Sequence, residues 1–186
     1  MEKRRAIFFD RDNTLNQDPL GYIGDWRQIC PMPHARPIVQ RALQAGYLLF
    51  LITNQSGVGR GYFSIEAVRA CNRRLEELLG GGQIFTEIGI ATGLDAVVDP
   101  CRKPSPKFLK KMCARHGLVP ENCWVVGDGA ADMAMARRSG ARGILVHGEG
   151  TVLDPDDEKA CLGRYSNLDS AWKLIGKCDG LARIAD

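Results

Sequence analysis

The chain has 186 residues, 45% of them hydrophobic and 25% charged, enough for one ordinary globular domain with its own core. Its net charge of +3 is too small to point to nucleic acid, and no apolar run approaches the roughly 20 residues that span a bilayer. The seven cysteines are odd in number and form no CxxC, which fits reduced structural thiols and excludes a paired disulfide framework. The charged start, Met1-Glu2-Lys3-Arg4-Arg5, leads into a strand and not into an apolar leader, so a cytoplasmic protein is expected.

In chain order, Ala6 to Phe9 reads as a short buried strand. It ends in Asp10-Arg11-Asp12-Asn13-Thr14-Leu15. Buried carboxylates are costly unless paired or bound to a cation, so two acids one residue apart suggest a Mg²⁺ site. A lone DxD is more often an acidic turn; three further strand ends shift the balance. Asn16 to Pro33 is a long loop, and Ala35 to Ala45 has helical apolar spacing stopped by Gly46. Tyr47 to Ile52 is a second buried strand, ending in the polar loop Thr53-Asn54-Gln55-Ser56-Gly57-Val58-Gly59-Arg60-Gly61. Ser64 can cap a helix that runs to about Leu79. Glu87 to Ala91 is a weaker third strand, followed by an irregular stretch holding Cys101-Arg102-Lys103-Pro104. Ser105-Pro106 starts a helix that ends at His116-Gly117, with proline at its first position. Cys123 to Val126 is a fourth strand, leading into Gly127-Asp128 and a short helix to Ser139. Gly143 to Val146 is a fifth. The remainder is polar until a last helix, Leu168 to Ile175, and residues from Cys178 onward are expected to fray.

Strands alternating with helices predict parallel βαβ units in a three-layer α/β fold, Rossmann-like, with a central parallel sheet. One domain over 1–186 is expected, with its core at about 5–146 and a C-terminal helix and tail over 147–186. In such sheets the ligand crevice lies outside the carboxyl ends of the strands. Asp10, Asp12, Thr53, Asn54 and Asp128 all follow predicted strands, so they should converge. Such a crevice can hold Mg²⁺ through oxygen ligands, with Lys103 as a point charge and Thr53 and Asn54 as donors to a phosphate. Asp10 is placed to attack phosphorus and Asp12 to protonate the leaving oxygen and then activate water.

These motifs resemble those of the haloacid dehalogenase-like phosphohydrolases: DxDxT at Asp10, Asp12 and Thr14, then Thr53, Lys103, and GDxxxD at Asp128 and Asp132. Within that superfamily, DRDxTL, Gly21-Tyr22, TNQSGVGRGYF and CRKP resemble the D-glycero-D-manno-heptose bisphosphate phosphatases and the related histidinol-phosphatases. No cap domain is expected, because one loop and one helix fill the gap before the second strand.

The resemblance implies a Mg²⁺-dependent phosphomonoester hydrolase working through an aspartyl-phosphate. Its substrate would be a small phosphorylated sugar, first a heptose 1,7-bisphosphate. Asp10 would be the nucleophile and a metal ligand. Asp12 would be the acid–base and give Mg²⁺ a backbone carbonyl. Asp128 would be the other metal carboxylate, with Asp132 behind it. Thr53 and Lys103 would hold the phosphoryl group. Arg11, Leu20, Gly21, Tyr22, Ile23, Asn54, Gln55, Ser56 and Arg102 would contact the substrate. A monomer without membrane or nucleic-acid partners is expected.

The sequence departs from the family at three points. Asn13 replaces a usual glycine, and asparagine tolerates a left-handed turn. Gly129 stands where a lysine is frequent. The family's zinc loop of the CxH…CxC kind is missing: Phe85 to Pro104 holds only Cys101 and no histidine, so no zinc is expected. The zinc-free route to RKP also resembles polynucleotide 3′-phosphatase domains, which keeps that activity and histidinol-phosphate hydrolysis as alternatives.

Overall fold

The computed structural model describes residues 4–19, 21–95 and 99–181. Its elements are β1 (Ala6–Phe9), α1 (Ala35–Gln44), β2 (Leu48–Asn54), the short α2 (Ser56–Gly59), α3 (Ile65–Gly80), β3 (Glu87–Ala91), α4 (Lys107–His116), β4 (Cys123–Gly127), α5 (Ala130–Ser139), β5 (Arg142–Val146), α6 (Pro155–Ala160), β6 (Cys161–Tyr165) and α7 (Leu168–Asp179). The six strands form one sheet in the order β3-β2-β1-β4-β5-β6, and every pairing is parallel.

The strand side chains alternate between two cores, as the period of two demands. Ile7, Phe9, Leu49, Leu51, Trp124 and Val126 face α1, α3 and α7. Ala6, Phe8, Phe50, Ile52 and Val125 face α4 and α5. Both faces are covered, which is why the central strands read as unbroken apolar runs. The result is the expected three-layer α/β fold. Between β1 and β2 the described chain adds a loop, a 3₁₀ turn at Trp26–Gln28 and α1, and no cap. No described helix is long and apolar enough to cross a membrane.

Helix ends follow local chemistry. Ser64 Oγ accepts the Ala67 N–H at 3.2 Å to open α3, and Gly81 closes it at φ 80°. α4 begins one residue later than expected: Pro106 is its cap residue and not its first helical one.

Three expectations need correction. Residues 155–165 are not featureless, because they form α6 and the edge strand β6. Residues 56–59 turn once as α2 instead of continuing as loop. Cys178 and Asp179 belong to α7, and Asp179 is tied down. Its carboxylate accepts from Tyr47 OH, from Trp124 Nε1 at 3.0 Å and from Arg142 Nη1 at 2.7 Å. Trp124 is fully buried as expected, and Arg142 lies over its ring at 3.9 Å.

The strand order reverses at β1, whose neighbours are β2 on one side and β4 on the other. A crevice opens at such a switch point, beyond the carboxyl ends of the two strands. The residues that follow β1 and β4 are Asp10 and Asp128.

Candidate active site

Asp10 leaves β1 with its backbone N–H still bonded to Val126 O, at 2.9 Å, so the adjacent strand sets its height in the crevice. Carboxylate oxygens of Asp10, Asp128 and Asp132 lie within 4.8 Å of one another. One cation stands among them. Lys103 Nζ is 2.6 Å from Asp10 Oδ1 and 2.8 Å from Asp132 Oδ1, and the lysine is almost fully buried.

Three carboxylates facing one ammonium leave surplus negative charge in a buried space. Its signature is in the protonation energetics. Burial is the main force that pushes Asp10 well above the usual carboxylate range; Lys103 opposes it, and Asp132 and Asp128 add to it. Asp128 is raised for the same reasons, burial first and Asp132 next. Burial would lower the Lys103 ammonium, but Asp10 and Asp132 outweigh it, so the lysine stays charged. Oxygen donors with a charge deficit of this kind fit a hard divalent cation such as Mg²⁺.

Asp132 sits in the first turn of α5 and accepts the Gly129 N–H at 3.3 Å. Gly127 is required here, because a Cβ would collide with the Asp132 carboxyl group. Asn13 adopts φ 55°, which keeps the turn after Asp12 as expected.

Asp12 stands outside that cluster. Its carboxylate is gripped by Arg11 through Nε at 2.9 Å and Nη2 at 2.8 Å, and Gln55 Nε2 adds a bond at 2.9 Å. Gln55 also donates to Thr53 Oγ1 at 2.8 Å, which ties the buried threonine to the same net.

Several expected substrate contacts are placed differently. Arg11 is fully buried, and its guanidinium bonds Asp12 and Asn72. Ile23 packs in the core with α1 and α3. Gln55 is buried behind Thr53 and Asp12. The Asn54 side chain holds the Lys103 backbone, accepting from its N–H and donating to its C=O. Arg102 turns back to Gly93 O at 3.2 Å. Gly21 and Tyr22 both have positive φ, and the half-exposed Tyr22 ring meets Tyr62 edge-on at 5.2 Å. Ser56 opens α2 and is half-buried. Leu20 lies outside the described residues.

Sequence reasoning missed two amides around Asp12: Asn16, which donates to its carboxylate at 3.4 Å, and Asn72, which accepts from Arg11. Asn16 is fully buried; it donates to Gln17 O at 2.9 Å and accepts the Cys30 N–H at 2.8 Å. Both look like ordinary polar residues in the chain. Asp99 was missed too. It accepts the N–H groups of Thr92, Gly93 and Cys101 at 2.7, 3.0 and 3.0 Å and so shapes the loop before Lys103.

A HAD-hydrolase-like family profile matches residues 100–163. A D-glycero-beta-D-manno-heptose-1,7-bisphosphate 7-phosphatase of Mesorhizobium japonicum is 38% identical over 156 residues, covering 79% of this chain and 71% of its own. The chain belongs to the haloacid dehalogenase-like (HAD) phosphatases. A D-glycero-D-manno-heptose-1,7-bisphosphate 7-phosphatase of Thermosynechococcus vestitus is 36% identical over 193 residues, 96% of this chain and 98% of its own. The crystal structure of the D,D-heptose 1,7-bisphosphate phosphatase of B. bronchiseptica, complexed with magnesium and phosphate, superposes with a TM-score of 0.80. It shares 25% identity and covers 93% of this chain and 98% of that one. HAD phosphatases use Mg²⁺, and the acidic cluster of this HAD chain offers the donors for it.

Proposed function

We propose that this HAD phosphatase removes one phosphate from a heptose 1,7-bisphosphate through an aspartyl-phosphate. The observation that carries the reading is the cluster of Asp10, Asp128 and Asp132 around Lys103 at the switch point of the sheet. Whole-length similarity to heptose bisphosphate phosphatases supports the substrate.

Asp10 and Asp128 would hold Mg²⁺ together with the Asp12 backbone carbonyl, and Asp132 would stand behind them on Lys103. Bound there, Mg²⁺ offsets the charge of carboxylate and phosphate. An Asp10 oxygen bonds to phosphorus as the bond to the leaving oxygen breaks, and Asp12 gives that oxygen its proton. Asp12 then takes a proton from the water that cleaves the aspartyl-phosphate. Lys103 and Thr53 steady the phosphoryl oxygens. Tyr22 and Tyr62 offer half-exposed aromatic faces to the apolar side of a sugar.

Under this reading the loop before Lys103 needs no zinc. Asp99 supplies through hydrogen bonds the crosslinks that a metal would otherwise make.

The test is phosphate release with Mg²⁺ from heptose 1,7-bisphosphate, histidinol phosphate and a 3′-phosphoryl oligonucleotide. A kcat/KM highest on the heptose supports the proposal. Equal or higher values on either of the others would replace the substrate while leaving the chemistry.

A further inference from the structure

α3 runs behind the crevice, and one of its side chains reaches the site. Asn72 is buried, and its Oδ1 accepts from Arg11 Nη1 at 3.1 Å. Arg11 is itself fully buried, and its other two donor positions grip both oxygens of Asp12 at 2.9 and 2.8 Å. A guanidinium is planar and rigid, so its three nitrogens move as one body and a bond at one of them restrains the other two. The Asp12 plane is fixed in turn by this two-pronged bond. Gln55 and Asn16 also touch Asp12, but each donates one bond, and Asn16 only at 3.4 Å.

We propose that Asn72 is a positioning residue for Asp12, acting through the guanidinium of Arg11. The inference rests on the acid–base reading of Asp12. It gives α3, which contributes no other residue to the site among the described contacts, a part in proton delivery to the leaving oxygen. A carboxylic acid that is free to rotate spends less time on the line to that oxygen, and orientation is a large part of what an enclosed acid contributes.

Among the described residues, Nδ2 of Asn72 has no hydrogen-bond partner. Only the oxygen end of the amide is therefore used, and Asn72→Asp keeps it. A carboxylate at this position would face the Arg11 guanidinium that the amide oxygen already meets. Asn72→Leu keeps the shape and removes the acceptor.

The experiment compares kcat/KM on p-nitrophenyl phosphate, whose leaving group needs little protonation, with that on phenyl phosphate, whose leaving group needs more. Asn72→Leu should lose about tenfold on phenyl phosphate, a share of the ~10²–10⁴-fold that a general acid supplies, and change little on p-nitrophenyl phosphate. Asn72→Asp should match wild type on both. Arg11→Lys keeps a cation without the fork and should repeat the selective loss, which preserves the test if the leucine variant does not fold. Asp12→Asn is the control and should show the same selectivity, only larger. Equal loss on both esters in Asn72→Leu, or no loss on either, would overturn the inference while Asp12→Asn stays selective. Equal loss in Asp12→Asn would instead remove the acid role, and the inference with it.

Discussion

Asn54 grips the backbone of Lys103 with both ends of its amide. Oδ1 accepts the Lys103 N–H at 3.0 Å, and Nδ2 donates to the Lys103 C=O at 3.1 Å. A residue that directly follows Thr53 thus sets the position of the only cation within the acidic cluster among the described residues. The clamp joins the end of β2 to the loop before α4, two segments 49 residues apart.

The first prediction follows from that clamp. Asn54→Ala removes two hydrogen bonds, each worth about 1 kcal/mol, and loosens Lys103 without deleting it. kcat/KM should fall on the order of tenfold on aryl and sugar phosphates alike. A double-mutant cycle reads the mechanism. If Asn54 works through Lys103, adding Asn54→Ala to Lys103→Ala should cost little more, and additive losses would mean that Asn54 acts on substrate directly.

The second concerns metal and pH. Burial and mutual repulsion raise the folded-state pKa values of Asp10 and Asp128 above their unfolded values. Raised carboxyl groups are protonated more in the folded chain, so their contribution is fully present below the unfolded pKa of about 4 and is lost as pH rises through the folded values. Metal-free protein should therefore lose stability at these two groups as pH rises above about 4. Mg²⁺ binds the ionised forms, so its effect has the opposite sign. At a hundredfold excess over Kd it should add about 2.7 kcal/mol near pH 8 and less near pH 5. Thermal unfolding with and without Mg²⁺ at the two pH values checks this. A Mg²⁺ shift that is larger at pH 5 would mean that the ion sits elsewhere.

Most of the sheet was legible because its central strands are covered on both faces. Ala6–Phe9 and Cys123–Gly127 are fully buried, and each reads as an unbroken apolar run. β6 was not legible, because an edge strand is half exposed and Cys-Leu-Gly-Arg-Tyr carries no such run. α6 did leave signals, with Asp154 accepting from Asp156 N and Pro155 in the first turn, but six residues are too few for periodicity. In the site, Asp10 and Asp128 could be placed because strand ends converge in any parallel sheet, and Lys103 could be placed through the family motif. The destinations of Arg11, Asn54 and Gln55 could not. Adjacent polar side chains on a tight turn have several partners within reach, and tertiary packing chooses among them.

The third prediction concerns Asp99. Burial tends to raise this carboxyl, but the backbone N–H groups of Gly93, Cys101 and Thr92 outweigh that and hold it below its usual range. Asp99→Ala frees all three donors and should loosen the loop that carries Arg102 and Lys103. We expect a destabilisation of about 1–3 kcal/mol and a lower kcat/KM, with no metal lost, because none is proposed there. Elemental analysis of the purified protein should find no stoichiometric zinc, and a zinc chelator should leave its melting temperature unchanged. One zinc per chain would refute the hydrogen-bonded account of this loop.

The last prediction tests the opposite ends of the strands. Asp179 ends α7, and donors from three strand starts meet on its carboxylate: Tyr47 just before β2, Trp124 in β4 and Arg142 opening β5. The carboxylate is only 5% exposed. Burial opposes its charge, but Tyr47, Arg142 and Trp124 outweigh burial and hold its pKa below the usual range. A depressed carboxyl contributes stability above the unfolded pKa of about 4 and loses it as pH falls through the folded value. Asp179→Ala leaves Arg142 and Trp124 without this partner at the foot of the sheet. Breaking such a buried pair costs about 3 kcal/mol. Urea unfolding at pH 7 should show that loss, and the gap between variant and wild type should narrow steadily as pH falls below the unfolded pKa of about 4. The crevice lies at the other ends of these strands, so kcat on p-nitrophenyl phosphate should stay at the wild-type value below the melting range. A stability gap that did not depend on pH would assign the effect of the substitution to lost packing instead of lost charge.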